Sequence, residues 1–243
     1  MEMIDVLQKL KEIAELIESA RELVGEMGDD ARIFVNMGLE TIQAVDVGGG
    51  TLRSTLDSDG DKKEYSQPYF KNRSGVEVAL GIRALDEGSH HPIYGSIVFV
   101  GDAIPEGATG YGEIALSFKM SADLDESTTY TPEDSFHGPN RLTKQDAQIA
   151  RVVKTALGKG SIRTSDYVEA QITKDLSFDD VEAVYVINQE QYDALPETLR
   201  VKAVIRPVAA VTEPSVYGAR RERRMLRQYL EKIGKIKQNL EEK

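Results

Sequence analysis

The chain has 243 residues, 40% of them hydrophobic and 29% charged, with a formal net charge of −11 and no cysteine. That balance fits a globular chain with one core, or one core plus helical extensions. The missing cysteines exclude a disulfide framework, a thiolate zinc site and a Cys nucleophile. The acidity argues against general nucleic-acid binding. No apolar run is long enough to cross a bilayer and no signal-peptide core is visible, so the chain is expected to stay where it is made.

Residues 1–47 read as an N-terminal helix followed by a strand-prone segment. Met3, Leu10, Ile17 and Val24 recur every seven residues, with Val6/Leu7, Ile13/Ala14 and Ala20 between them and an acidic outer face. That is a heptad stripe. The far end mirrors it: 216–243 reads as a basic amphipathic helix with Leu226, Ile233 and Leu240 at the same spacing. Opposite charge predicts that helices 1–27 and 219–241 serve as protein-partner surfaces, paired within one chain or between chains of a homo-oligomer.

Residues 48–75 are polar and rich in Gly, Ser, Asp and Lys, and read as a loop or linker. Gly48-Gly-Gly50 lacks the lysine of a P-loop, and Asp59-Gly60 is a hairpin-turn pair.

An α+β core with a mixed or mainly antiparallel sheet is expected over 76–215. Strands are read at Val76–Leu85, carrying Arg83, at Ser96–Val100 after a His90–Gly95 turn, and at Tyr111–Phe118 with Ile114, Leu116 and Phe118 on one face. Thr143 caps a helix with the stripe Ile149, Val152, Val153, Ala156 and Leu157. A half-buried strand at Ser165–Ile172 alternates Val168, Ala170 and Ile172 with Tyr167, Glu169 and Gln171. Ser177 and Asp180 have capping-box spacing before a returning strand at Ala183–Ile187. A short helix at Gln189–Leu195 stops at Pro196, and Val201–Ile205 is a last strand.

Within this frame the three histidines, His90, His91 and His137, lack metal-ligand spacing, so no metal site is expected. What remains is an arginine (Arg83), a hydroxyl cluster (Ser127, Thr128, Thr129) and a strand carboxylate, Glu169. A glutamate and a glutamine on one face of a core strand are costly unless they have partners or work to do.

The segments His-Pro-Ile-Tyr-Gly (91–95), Tyr-Gly-Glu-Ile-Ala-Leu (111–116), Ser-Thr-Thr-Tyr-Thr-Pro-Glu-Asp-Ser (127–135) and Asp-Tyr-Val-Glu-Ala-Gln-Ile (166–172) together resemble a bacterial family also fused to phage head-morphogenesis proteins. Some such phage domains are ADP-ribosyltransferase-like, with an arginine, a Ser-Thr-Ser strand and a glutamate in a Gln/Glu-x-Glu turn. The resemblance covers about residues 76–190, and Tyr167 stands two before Glu169 where that pattern has Gln or Glu.

The resemblance implies NAD as substrate and transfer of ADP-ribose to a macromolecular target. In that reading Glu169 is catalytic, with Ser127 and Thr128 orienting it. Arg83 grips the pyrophosphate, Tyr94 or Tyr111 stacks on nicotinamide, and Gln171 belongs to the NAD site. It places the protein in the host cytoplasm or in a virion. The alternative is a non-catalytic head-associated protein assembled with phage particle proteins through its terminal helices.

Overall fold

The computed structural model describes residues 3–27, 30–54, 67–82, 90–99, 112–132, 135, 140–157 and 167–206. The C-terminal basic helix, Arg83, Tyr111, His137 and the Asp59-Gly60 turn lie outside them. The elements are α1 (Met3–Met27), β1 (Ala31–Met37), α2 (Leu39–Val47), β2 (Thr51–Leu52), α3 (Gln67–Ala79), β3 (Ile93–Phe99), β4 (Ile114–Lys119), α4 (Ala122–Glu126), β5 (Thr128–Thr131), α5 (Lys144–Leu157), β6 (Glu169–Ile172), β7 (Leu176–Ser177), β8 (Val181–Val186), α6 (Gln189–Ala194), α7 (Glu197–Arg200) and β9 (Ala203–Ile205).

The fold is α+β around a seven-stranded sheet of order β5-β6-β3-β1-β4-β8-β9, with β2 and β7 forming a separate pair. Neighbours in the large sheet run antiparallel except β8 and β9, which are parallel. The strand-prone residues 31–37 thus become the middle strand of the sheet. Every strand residue there except Arg32 is buried, as a strand flanked on both edges and covered on both faces must be.

Alternation along the strands separates two faces. On one, Ile33, Val35, Ile97, Leu116, Phe118, Ala170 and Ile172 join Ala20, Leu23 and Val24 of α1 and Ala147, Ile149 and Val152 of α5 in one apolar core. Thr143 caps α5 as expected, its Oγ1 accepting from the Asp146 N–H at 3.1 Å. The side chains of Ala156 and Leu157 are outside the description. On the other face the apolar cluster is small: Phe34, Val98 and Ala115, with Tyr185 against them.

The heptad reading of α1 needs correction over its described side chains. The buried positions are Leu16, Ala20, Leu23 and Val24, while Ile13 is 42% exposed. α1 packs against α5, and that contact selects the ordinary stripe of a helix on a globular core rather than a coiled-coil seam.

Val76–Leu85 is a second correction. Residues 76–79 end helix α3, and the turn closes with Leu80 N–H to Val76 O and Ile82 N–H to Glu77 O. Gly81 completes the stop at φ +69°, a conformation natural only to glycine. The apparent alternation of Val76, Val78 and Leu80 hid a helical stripe whose buried members are Arg73, Glu77 and Leu80.

The strand carrying Glu169 and the returning strand after it are not neighbours: β6 lies between β5 and β3, and β8 between β4 and β9. The turn between them is as read, with Asp180 Oδ2 accepting from both the Ser177 N–H and its hydroxyl at 2.8 and 2.9 Å. Finally, Ile93-Tyr94-Gly95 is strand rather than turn. At Gly95 a Cβ would sit 2.7 Å from Phe34 O and 2.9 Å from Ile33 Cγ2, so this strand position requires glycine.

Candidate functional site

The site is on the second face. Register aligns Glu169 of β6 with Ser96 of β3, Ser96 with Phe34 of β1, and Phe34 with Ser117 of β4. The next row begins with Gln171 opposite Tyr94 and Thr129. All of β6 is buried, with Glu169 at 2% exposure and Gln171 at 0%, because α3 brings Arg73 and Glu77 to this face. The half-buried strand expected here is therefore buried on both sides.

A buried carboxylate must be matched by donors. Glu169 Oε1 accepts from the Ser135 hydroxyl at 2.6 Å, the Ser135 N–H at 3.3 Å and Gln171 Nε2 at 2.5 Å. Arg73 Nη2 stands 3.8 Å from Oε2, and the same guanidinium donates through Nη1 to Ser135 Oγ at 3.1 Å. Gln171 Nε2 also donates to Thr131 Oγ1 at 3.0 Å. These bonds tie α3, β5, β6 and the Ser135 turn to one carboxylate and set its rotamer.

A second buried carboxylate lies beside the first. Glu77, one helical turn after Arg73, accepts from the Tyr94 hydroxyl and has His91 Nδ1 2.7 Å from Oε2. The Arg73 guanidinium lies 3.9 Å from the centre of the Tyr94 ring, a cation–π contact on the same tyrosine. Burial pushes the Tyr94 phenol above its ordinary pKa, Arg73 opposes this, and the Glu77 carboxylate adds to it. Tyr94 is thus a neutral phenol that donates to Glu77.

Phe34, Asn36, Tyr94, Gly95, Ser96, Tyr167 and Glu169 line a pocket of about 270 Å³, its open mouth included. Three aromatic residues, Phe34, Tyr94 and Tyr167, are in that lining together with Glu169. Two lining atoms are buried without a hydrogen-bond partner, Asn36 Oδ1 and Ser96 Oγ.

Of the residues singled out in the sequence, Glu169, Tyr94 and Gln171 meet at this site. Ser127 and Thr128 do not. Ser127 is the C-cap of α4, and its hydroxyl donates to Asp123 O and Leu124 O. Thr128 donates to Leu124 O at 2.5 Å, and its register opposite Ile172 puts it on the apolar face. Thr131 and Ser135 are the hydroxyls that belong to the Glu169 network. Arg83 and Tyr111 are outside the described residues, and the arginine that reaches Glu169 is Arg73. Among the described residues no group of three or more His, Asp or Glu side chains is placed to hold a metal ion. No described helix is long and apolar enough to cross a membrane.

No protein-family model matches the sequence, and no curated protein matches it. Among solved structures, Thermus sp. 2.9 DarT in complex with ADP-ribosylated ssDNA aligns at a TM-score of 0.46 and 15% identity, covering 74% of this chain and 95% of that chain. A likeness of that size carries no argument about chemistry. The α+β assignment stands on the strand order and register themselves.

Proposed function

We propose that this is an ADP-ribosyltransferase-like protein that cleaves NAD at the nicotinamide–ribose bond and passes ADP-ribose to a macromolecular acceptor. The observation that supports it is Glu169: a buried strand carboxylate, fixed by Arg73, Ser135 and Gln171, that forms part of the lining of an aromatic-walled pocket. Breaking the C1′–N bond sends its electron pair to nicotinamide and leaves positive charge on the ribose. A fixed carboxylate beside that carbon stabilises the charge as it develops. The acceptor then adds to C1′ and loses its proton. Arg73 holds the carboxylate in place from α3, and Arg83 is kept as the guanidinium for the pyrophosphate oxygens. The motif resemblance over 91–172 supports a phage or prophage setting, in the host cytoplasm or the virion.

One observation favours the rival reading of a non-catalytic head-associated protein. Both carboxylate oxygens of Glu169 already have protein partners, as they would if the network only clamped α3 to the sheet. In either reading helices 1–27 and 219–241 remain candidate contacts for phage particle proteins or a second copy.

Nicotinamide release from NAD, measured with purified protein and a cell lysate as acceptor, separates the two. Release is expected, and Glu169→Gln should lower it by about 10²-fold or more at unchanged fold. A folded wild-type protein that releases none points to the structural role.

A further inference from the structure

Glu169 is covered in this structure, and helix α3 supplies the cover. The carboxylate is 2% exposed, and inside its mouth the cleft beside it has room for about a water molecule or two. A ribose does not fit there. The two carboxylate oxygens are held from different sides. Ser135 and Gln171 donate to Oε1, while the cation near Oε2 is Arg73 of α3, at 3.8 Å. A guanidinium in that place repels positive charge, so it opposes the charge that departing nicotinamide would leave on the ribose. With α3 lifted away, Oε1 keeps the bonds that set the rotamer and Oε2 faces open space.

The hold of α3 on the sheet is mainly polar. Among its described side chains the buried ones are Arg73, Glu77 and Leu80. The first two are charged, and their partners Ser135, Tyr94 and His91 are ones that water can replace. Leu80 joins neither apolar cluster of the sheet, whereas α1 and α5 bury apolar stripes in the larger one. Inside α3 stands Gly75, exposed, where a Cβ would meet nothing within 4 Å. No close approach asks for glycine at that position, and its backbone freedom weakens the helix. An element with little apolar burial and a glycine in its interior is of the kind that opens without the rest of a fold.

We propose that α3 is a displaceable cover whose local unfolding exposes Glu169 and the cleft beside it. That this opening gates nicotinamide release rests on the transfer reading above. The opening itself does not.

The test uses the absence of cysteine from the chain. Ser96→Cys places a single thiol opposite Glu169 in register, at a position 1% exposed. Val47→Cys, at a position 90% exposed, is the open reference, and Val35→Cys, at one 2% exposed in the apolar core, reports global unfolding. Alkylation of each full-length variant by iodoacetamide is timed without denaturant, with Gly, Ala or Pro at position 75. The thiol at 96 should react more slowly than that at 47 and much faster than that at 35. Gly75→Ala should slow it about fourfold and Gly75→Pro should quicken it roughly tenfold or more, in the order of helix propensity, with position 47 unaffected. Nicotinamide release, measured with Ser96 in place, should shift in the same order. A thiol at 96 as fast as that at 47, one no faster than that at 35, or one indifferent to residue 75 would overturn the cover. Release that ignores residue 75 while alkylation follows it would overturn the gate. Alkylation that follows residue 75 in a protein that releases no nicotinamide would retire the transfer reading and leave the cover standing. Release from a protein whose alkylation ignores residue 75 would do the reverse.

Discussion

Ile33, Ile97, Leu116 and Ile172 face one side of the sheet, and Phe34, Ser96, Ser117 and Glu169 face the other, drawn from the same four strands. The first set meets the apolar stripes of α1 and α5. The second meets α3, whose buried stripe begins with Arg73 and Glu77. Apolar burial is non-directional, so the first face tolerates shape changes at a graded cost. The second is held by directed bonds among groups that are expensive to strand. Graded apolar packing and a directed polar network thus lie on opposite sides of one set of strands, and both contribute to stability.

The largest expected effect comes from breaking the polar face one partner at a time. Arg73→Met removes the cation from beside Glu169 and should cost about 3–5 kcal/mol, since an uncompensated buried charge remains. Arg73→Met with Glu169→Met removes the whole pair and should cost clearly less than the sum of the two single changes. Urea denaturation of the three variants measures this. Additive losses would mean that the two side chains do not act as a pair.

The apolar face should behave differently. Leu116→Ala opens a cavity in the fully buried core and should cost about 2–5 kcal/mol by the same measurement. Nicotinamide release per folded molecule should stay the same, because Leu116 faces α1 and α5 rather than Glu169. A loss of release at temperatures where the variant is folded would show that the faces are coupled.

How far each face was legible follows from the same contrast. The apolar face was readable because period-2 and period-3.6 stripes coincide with burial: Ile114, Leu116 and Phe118 do share one core, as do Ile149 and Val152. Glu169, Gln171 and Tyr94 were visible because polar groups interrupt apolar strands. Arg73 was not, because an apolar search passes over a helix whose buried face is polar, and the nearby Arg83 stood in a more strand-like string. Asn36 carried the same signal as Glu169, a polar residue in the run Ile33-Phe-Val-Asn-Met37. It went unread because that run showed no clean period. Ser135 closes the 127–135 motif, but nothing local tied it to Glu169, since only the folded turn brings the two together.

Gly95 tests how tightly the faces are joined. A methyl group there would press on the β1 backbone at Phe34 O and on Ile33 Cγ2. Gly95→Ala should cost about 1–3 kcal/mol, the usual penalty of overpacking. Because Gly95 stands between Tyr94 and Ser96, which is opposite Glu169, the strand shift should lower nicotinamide release as well. A destabilised variant with wild-type release would show that β1 yields instead of β3.

The smallest effect is expected at Ser127, where the sequence and the structure point to different outcomes. A hydroxyl that oriented Glu169 would, when removed, lower nicotinamide release by a large factor. The Ser127 hydroxyl instead donates to Asp123 O and Leu124 O at the end of α4. Its backbone carbonyl accepts from both the N–H and the hydroxyl of Thr173, bonds that a side-chain change leaves in place. Ser127→Ala should therefore cost only about 0.5–1.5 kcal/mol and leave release unchanged. Ser135→Ala is the matched comparison, since its hydroxyl donates to Glu169 and accepts from Arg73. It should lower release as well as stability. If Ser127→Ala abolished release while Ser135→Ala did not, the hydroxyl cluster would have to be reassigned to the end of α4, and the Glu169 network would be only a clamp for α3.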